Sequence, residues 1–303
     1  MSILLTITGP TACGKTALAA EVAYRLHGEI ISADSRQVFR KMDIGSGKDI
    51  SDYTVHGTPI PYHLIDIRDA GEEYNVFQFQ NDFLEAYEKI RSNGHQPILC
   101  GGTGLYIDSI VRSYQLPTAP IDEEYRKQQE AFSDEELTER LKSYIKLHNH
   151  TDTETRDRLL RALEIQEFHQ KEPEQYVRIP KMDHRIIGVR YPRETVIERI
   201  GQRLRQRLQE GMVEEVQQLI NDGVPTERLL KYGLEYKHLT RYLTNQCSYD
   251  EMYEHLYTDI RRFSKRQMTW FRRMERNGIN IHWIDGELPF EDKVAAVIQY
   301  YNK

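Results

Sequence analysis

The residues best suited to chemistry lie near the start of the chain. Gly9-Pro10-Thr11-Ala12-Cys13-Gly14-Lys15-Thr16 has the spacing G-x-x-x-x-G-K-[ST] of a phosphate-binding loop. Glycines at 9 and 14 let the backbone turn its N–H groups around an anion, and a helix N-terminus adds positive partial charge. Lys15 supplies a mobile cation, and the Thr16 hydroxyl is a ligand for Mg²⁺. Asp34 follows a short apolar run and is the candidate general base, placed to take a proton from a nucleophile facing a phosphate ester. Asp and Ser at 34 and 35 are also common helix N-caps, which is the competing explanation. Asp66 ends another apolar run, as a Walker-B acid would. Gly101-Gly102-Thr103-Gly104 is a second glycine-rich turn, offering N–H groups and the Thr103 hydroxyl to a phosphate. Gly45-Ser46-Gly47-Lys48 is either a third contact or a flexible loop.

Two basic segments stand apart from these turns. Arg261, Arg262, Lys265, Arg266, Arg272, Arg273 and Arg276 fall within residues 256 to 278, opposed by Asp259 and Glu275. At helical spacing Ile260, Phe263, Gln267, Trp270, Phe271 and Met274 share one face. Arg262, Arg266 and Arg273 lie largely opposite, a charge pattern suited to a phosphodiester backbone. Arg156, Arg158 and Arg161 form a smaller set, with Asp157 and Glu164 at pairing distance along a helix.

These residues need a scaffold that gathers them. The first 112 residues alternate strand and helix patterns: apolar runs at Ile3–Thr8, Glu29–Ala33, Tyr62–Ile67 and Pro97–Cys100, with helical periodicity after the first loop, over 76 to 91, and after Gly104. Such alternation predicts an α/β fold, a P-loop-type parallel sheet flanked by helices, whose ligands gather at the carboxyl ends of the strands. From 117 to 182 the chain is charged and helical, with helices expected at Tyr125–Phe132, Asp134–Leu147 and Thr155–Gln170. This reads as a helical insertion in a core formed by 1–116 and 183–303. A strand at Arg185–Arg190 restores the sheet. A largely helical C-terminal part follows (193–221, 233–245 and 249–277), then a strand at Ile279–Ile284 and a last helix from Phe290.

Composition narrows the classes. The chain has 303 residues, a hydrophobic content of 39% and a net charge of −6, so no overall basic field advertises nucleic acid and only a local basic face is available. Three scattered cysteines, Cys13, Cys100 and Cys247, offer neither a zinc pattern nor a disulfide framework. With no signal-peptide pattern at Met1–Thr8 and no apolar run of about 20 residues, the expectation is a cytoplasmic monomer without a membrane span.

Taken together, several segments resemble the tRNA dimethylallyltransferases, also called tRNA isopentenyltransferases. They are the residue 9–16 loop, Ser32-Ala33-Asp34-Ser35-Arg36-Gln37-Val38-Phe39, Met42-Asp43-Ile44-Gly45, Gly101-Gly102-Thr103-Gly104-Leu105-Tyr106, Arg161-Ala162-Leu163-Glu164 and Lys265-Arg266-Gln267 with Thr269-Trp270-Phe271-Arg272. The resemblance implies that residues 9–16 hold dimethylallyl diphosphate with Mg²⁺ rather than ATP. It implies transfer of the dimethylallyl group to N6 of the adenosine immediately 3′ of the tRNA anticodon, position 37. Carried over, Asp34 is the base, Lys15 and Thr103 assist at the diphosphate or the adenine, and Thr16 holds the metal. Asp34, Ser35, Arg36, Gln37, Thr103, Asp157, Arg158, Leu159, Leu160 and Arg161 contact tRNA, and the insertion clasps the anticodon arm. One stretch departs from the family pattern of a Gly-Tyr pair with a basic residue close before it. In Lys231-Tyr232-Gly233-Leu234-Glu235-Tyr236-Lys237, Tyr236 matches the tyrosine but Glu235 stands where glycine is expected. A P-loop small-molecule kinase is the alternative; it shares the loop, Asp34 and the sheet, but needs neither the arginine helix nor the insertion.

Overall fold

The computed structural model describes residues 3–117, 122–145, 153–171, 176–177 and 179–303. In chain order its elements are β1 (Leu4–Thr8), α1 (Lys15–Leu26), β2 (Gly28–Ser32), a 3-10 turn (Ile50–Tyr53), β3 (Thr54–Val55), β4 (Thr58–Pro59) and β5 (Tyr62–His63). Then follow α2 (Val76–Ser92), β6 (Gln96–Gly101), α3 (Gly104–Val111), β7 (Leu116–Pro117), α4 (Glu123–Gln129), α5 (Asp134–Tyr144), α6 (Arg156–Lys171) and β8 (Tyr176–Val177). The remainder is β9 (His184–Arg190), α7 (Arg193–Gln209), α8 (Met212–Asn221), α9 (Thr226–Tyr232), α10 (Leu234–Leu243), α11 (Tyr249–Arg276), β10 (Ile281–Asp285) and α12 (Phe290–Tyr301). The chain divides into two units, Met1–Ser113 with Pro180–Lys303, and Tyr114–Ile179.

The first unit is built on a six-stranded sheet in the order β10-β9-β1-β6-β2-β5, and every adjacent pair is parallel. All five residues of both β1 and β2 are buried. A parallel sheet covered on both faces requires that, which is why these strands read as continuous apolar runs rather than alternating ones. Leu5, Ile7, Ile30, Ile98, Ile187 and Val189 join Leu18 and Val22 of α1 in one core. A second core gathers Leu204, Met212, Val216, Leu239, Met252 and Leu256 from α7, α8, α10 and α11. The second unit has its own small core, Leu137 and Leu141 of α5 against Leu159, Leu160 and Leu163 of α6, and an antiparallel β7–β8 pair that the sequence patterns did not predict. Among the described residues no helix is long and apolar enough to cross a membrane.

Two elements differ from expectation for backbone reasons. The helix expected over 193–221 is two helices, because Gly211 between them adopts φ +100°, a left-handed conformation that ends a right-handed helix. The strand expected over Tyr62–Ile67 pairs only through His63, because Leu64 and Asp66 both take positive φ and turn the chain off the sheet edge.

Glycine is sterically required where β6 meets β2. A Cβ on Gly101 would lie 2.2 Å from the Ala33 carbonyl oxygen, a backbone atom with no room to yield. Gly101→Ala should therefore destabilise the fold by about 1–3 kcal/mol, measured by denaturant unfolding; a change under about 0.5 kcal/mol, the range of an indifferent surface site, would contradict this packing.

Candidate active site

The phosphate loop leaves β1 in the middle of the sheet and delivers Lys15 as the first residue of α1. Its shape is held from outside. The Thr11 N–H donates to Oε1 of Gln267 at 2.8 Å, and Nε of Arg199 donates to the Ala12 carbonyl at 2.8 Å. Ala12 is left-handed at φ +62°, and so is Gly14 at +74°. The loop is thus bent inward by residues from α7 and α11. Lys15 Nζ lies 3.5 Å from the Pro10 carbonyl. Beyond it runs a narrow polar slot lined by Lys15, Thr16, Asp34, Arg36, Arg203 and Gln267.

Asp34 stands just past β2. Its Oδ1 accepts the backbone N–H of Arg36 at 3.0 Å, and the next N–H, from Ser35, donates to Thr103 Oγ1 at 3.2 Å. These residues form a turn, so Asp34 caps no helix. Among the described residues nothing hydrogen-bonds Oδ2 of Asp34. Asp34, Arg36 and Phe263 border the inner slot and also an outer cavity of about 320 Å³, whose lining includes Thr103, Gly233, Lys237 and Arg266. The Phe263 ring lies beneath two guanidiniums, Arg36 at 5.7 Å and Arg266 at 6.0 Å from its centroid. An aromatic face flanked by cations suits a stacked, phosphorylated base.

Arg203 on α7 was not anticipated. Burial, and then the neighbouring Arg207 charge, push its guanidinium down to about 10. Arg207 is paired to Asp49 at 3.2 Å. The available signal was the heptad-like placing of Arg203 and Arg207 beside Ile200 and Leu204, which are core residues. Gln267 was visible as the one amide on the apolar face of its helix. It is buried, and its Nε2 donates to the Gly102 carbonyl at 2.9 Å.

Other candidates occupy different places. Lys48 is buried, donating to the Phe39 carbonyl at 2.5 Å and to Asp43 at 2.8 Å and pairing with Asp66. Asp66 and Lys48 are therefore partners of each other, and neither is among the residues that line the slot, whereas Ser46 and Gly47 are. The glycines at 101, 102 and 104 answer to close packing by Ala33, Gln267 and Trp270. Tyr236 is fully buried, its hydroxyl donating to Glu215 at 2.9 Å, so the basic group facing the outer cavity in this stretch is Lys237.

On α11, Ile260 and Met274 are core, whereas Phe263 and Trp270 are only partly buried. Arg273 covers the Trp270 ring at 5.3 Å. Arg262 pairs with Asp259 at 3.3 Å. With Arg190, Arg261, Lys265 and Arg272 it borders a wide groove of about 700 Å³. In the second unit Asp157 and Arg158 are exposed and Arg161 pairs with Glu164 at 3.1 Å. The Leu159 and Leu160 side chains are packed into that unit's core, so at these two positions the backbone is what can meet tRNA. Burial also raises the Cys100 thiol to about 12, which makes it an inert lining group.

Gln267→Leu should leave the Thr11 N–H and the Gly102 carbonyl without their buried partner. The expected cost is about 1–3 kcal/mol, read by denaturant unfolding, together with a raised KM for a substrate held by the phosphate loop. An unchanged KM would mean that the loop keeps its shape without α11.

Comparison with known proteins follows this geometry. Residues 37–274 match the family model described as IPP transferase, and residues 2–63 match one described as isopentenyl transferase. A tRNA dimethylallyltransferase 2 of Bacteroides fragilis is 52% identical over 98% of this chain and 97% of its own length. One of Porphyromonas gingivalis is 51% identical over 98% and 99%. The crystal structure of a tRNA isopentenylpyrophosphate transferase from Bacillus halodurans superposes with a TM-score of 0.73 at 31% identity, covering 100% of this chain and 96% of that one. A eukaryotic dimethylallyltransferase acting on tRNA shares the fold, with a TM-score of 0.75 at 21% identity over 94% of this chain and 74% of that one. The chain belongs to the tRNA dimethylallyltransferase (IPP transferase) family.

Proposed function

We propose that this protein transfers a dimethylallyl group from dimethylallyl diphosphate to N6 of the tRNA adenosine immediately 3′ of the anticodon. The observation that carries the reading is the position of Asp34, shared by a cation-lined slot and a larger cavity with an aromatic floor. The diphosphate lies in the slot against Lys15, Thr16 and Arg203. The adenine enters the outer cavity over Phe263, after leaving its stack at a cost of about a few kcal/mol. The N6 lone pair forms the new bond to the allylic carbon as the carbon–oxygen bond breaks. The bonding electrons leave with diphosphate, and the N6 proton passes to Asp34. Lys15, Arg203 and the loop N–H groups stabilise the charge that grows on the leaving group.

Mg²⁺ fits the donor set. Thr16 offers a hard oxygen within the slot, and among the described residues no cluster of three acidic, His or Cys side chains forms a cage. Magnesium is commonly held by few protein oxygens and by the substrate's phosphates. Bound there, it would neutralise charge on diphosphate.

The arginine face of α11 supplies the tRNA backbone contacts in this account, through Arg262, Arg266 and Arg273. The exposed Asp157 and Arg158, with Arg161, are the insertion's contribution to the anticodon arm. A monomer in the cytoplasm is the simplest assembly and setting.

The direct test is incubation of unmodified tRNA with dimethylallyl diphosphate and Mg²⁺, followed by nucleoside mass analysis. One added C5H8 on the adenosine 3′ of the anticodon is the expected product, and phosphate transfer from ATP to a small molecule instead would overturn the reading. In the same assay Asp34→Asn should lower the single-turnover rate by about 10²–10⁴ with tRNA binding little changed; a loss below tenfold would remove Asp34 as the base. Arg262→Ala, Arg266→Ala and Arg273→Ala should each lower the salt slope of log K for tRNA by about 0.7–0.9, while the adenosine modified stays the same. Unchanged slopes in all three would place the tRNA backbone elsewhere.

A further inference from the structure

Glu235 is a buried carboxylate, and its surroundings give that charge a task. It is the second residue of α10, and only 8% of its side chain is exposed. Its Oε2 accepts from the Arg36 guanidinium, whose side chain is 14% exposed. Arg203 and Arg207 line, together with Glu235, a small cavity beside the phosphate-loop residues Thr11 and Ala12. Arg36 also reaches the Phe263 ring, and its own backbone N–H is bound to Asp34 Oδ1. Arg36 therefore joins Glu235 on one side to the turn that carries Asp34 on the other.

We propose that Glu235 is a positioning residue that holds the Arg36 guanidinium away from the Asp34 carboxylate. A buried cation that loses its partner turns to the nearest remaining anion, because the unpaired state is costly. Asp34 is that anion: it borders both cavities with Arg36, it accepts the Arg36 backbone N–H, and after Glu235 it is the carboxylate whose charge acts most on that guanidinium. Once paired with a guanidinium, Asp34 would be a weaker base and less free to accept the N6 proton. The ion pair thus acts on the chemical step through charge placement, and it rests on the reading of Asp34 as the base.

The experiment uses the full chain and single-turnover transfer at saturating tRNA and dimethylallyl diphosphate. Glu235→Gln keeps the shape and removes the charge. It should slow the chemical step by about 10- to 100-fold, with the KM for dimethylallyl diphosphate and the Kd for tRNA within about threefold of the original. Glu235→Asp should recover most of the rate. The double variant Arg36→Met with Glu235→Gln should be faster than Glu235→Gln alone, since the intruding cation is gone; a role in folding alone predicts further damage instead. A Glu235→Gln rate within about threefold of the original protein, or a double variant no faster than that single one, would overturn the proposal. If Glu235→Gln does not fold, the comparison moves to the double variant, whose neutral pair leaves no buried charge; a rate below one-thousandth of the original protein's would then overturn it. Asp34→Asn is the control: activity within tenfold of the original would remove the base itself, a failure separate from that of Glu235.

Discussion

One buried amide holds the parts of the site in register. Gln267 accepts from the phosphate loop at Thr11 and donates to the glycine turn at Gly102, so α11 is tied to the carboxyl ends of β1 and β6 at once. The sheet can accept a helix this closely only because the turn lacks side chains. A Cβ on Gly102 would stand 2.4 Å from the Gln267 amide nitrogen, and one on Gly104 would stand 2.5 Å from the Trp270 ring. Packing and function meet in that contact. The same helix that closes the slot from above presents its charged face outward, with Arg266 at the mouth of the outer cavity.

The second constraint is charge. Lys15, Arg36 and Arg203 border a slot with Asp34 and Asp49, and Glu235 sits directly behind it. Water exclusion makes each cation worth more to a diphosphate than it would be at a surface, and it makes each unmatched cation costly before the diphosphate arrives. Burial and the Arg207 charge lower the Arg203 guanidinium to about 10. Glu235 and Asp49 relieve Arg36 and Arg207 by direct pairing. In the proposed reaction the remaining positive charge receives the leaving group.

What could be read from the residues follows from how far apart the cooperating groups lie. The phosphate loop is contiguous, so Gly9 to Thr16 declared themselves by spacing, and the apolar runs of β1, β2, β6 and β9 declared a buried parallel sheet. Asp34 was legible because it ends such a run beside the loop. Gln267 and Glu235 stood out only as residue types out of place and Arg203 not at all, since each comes from a different helix and its role exists only when α7, α10 and α11 are packed around the turns. The pairing of Asp66 with Lys48 was hidden for the same reason: residue types suggest a metal acid and a phosphate contact, and only the fold brings the two together. The two breaks in regular structure, at Gly211 and after His63, depend on left-handed residues whose neighbours carry strong helical or apolar patterns.

In the proposed reaction the diphosphate and the adenine approach Asp34 from two cavities that both border it. A crystal structure of the protein with an anticodon stem-loop and a non-hydrolysable dimethylallyl diphosphate analogue tests it most directly. The account predicts the diphosphate against Lys15, Thr16 and Arg203, the adenine over Phe263, and its N6 within hydrogen-bonding distance of Asp34. An adenine bound elsewhere, or a diphosphate lying outside the slot, would contradict it.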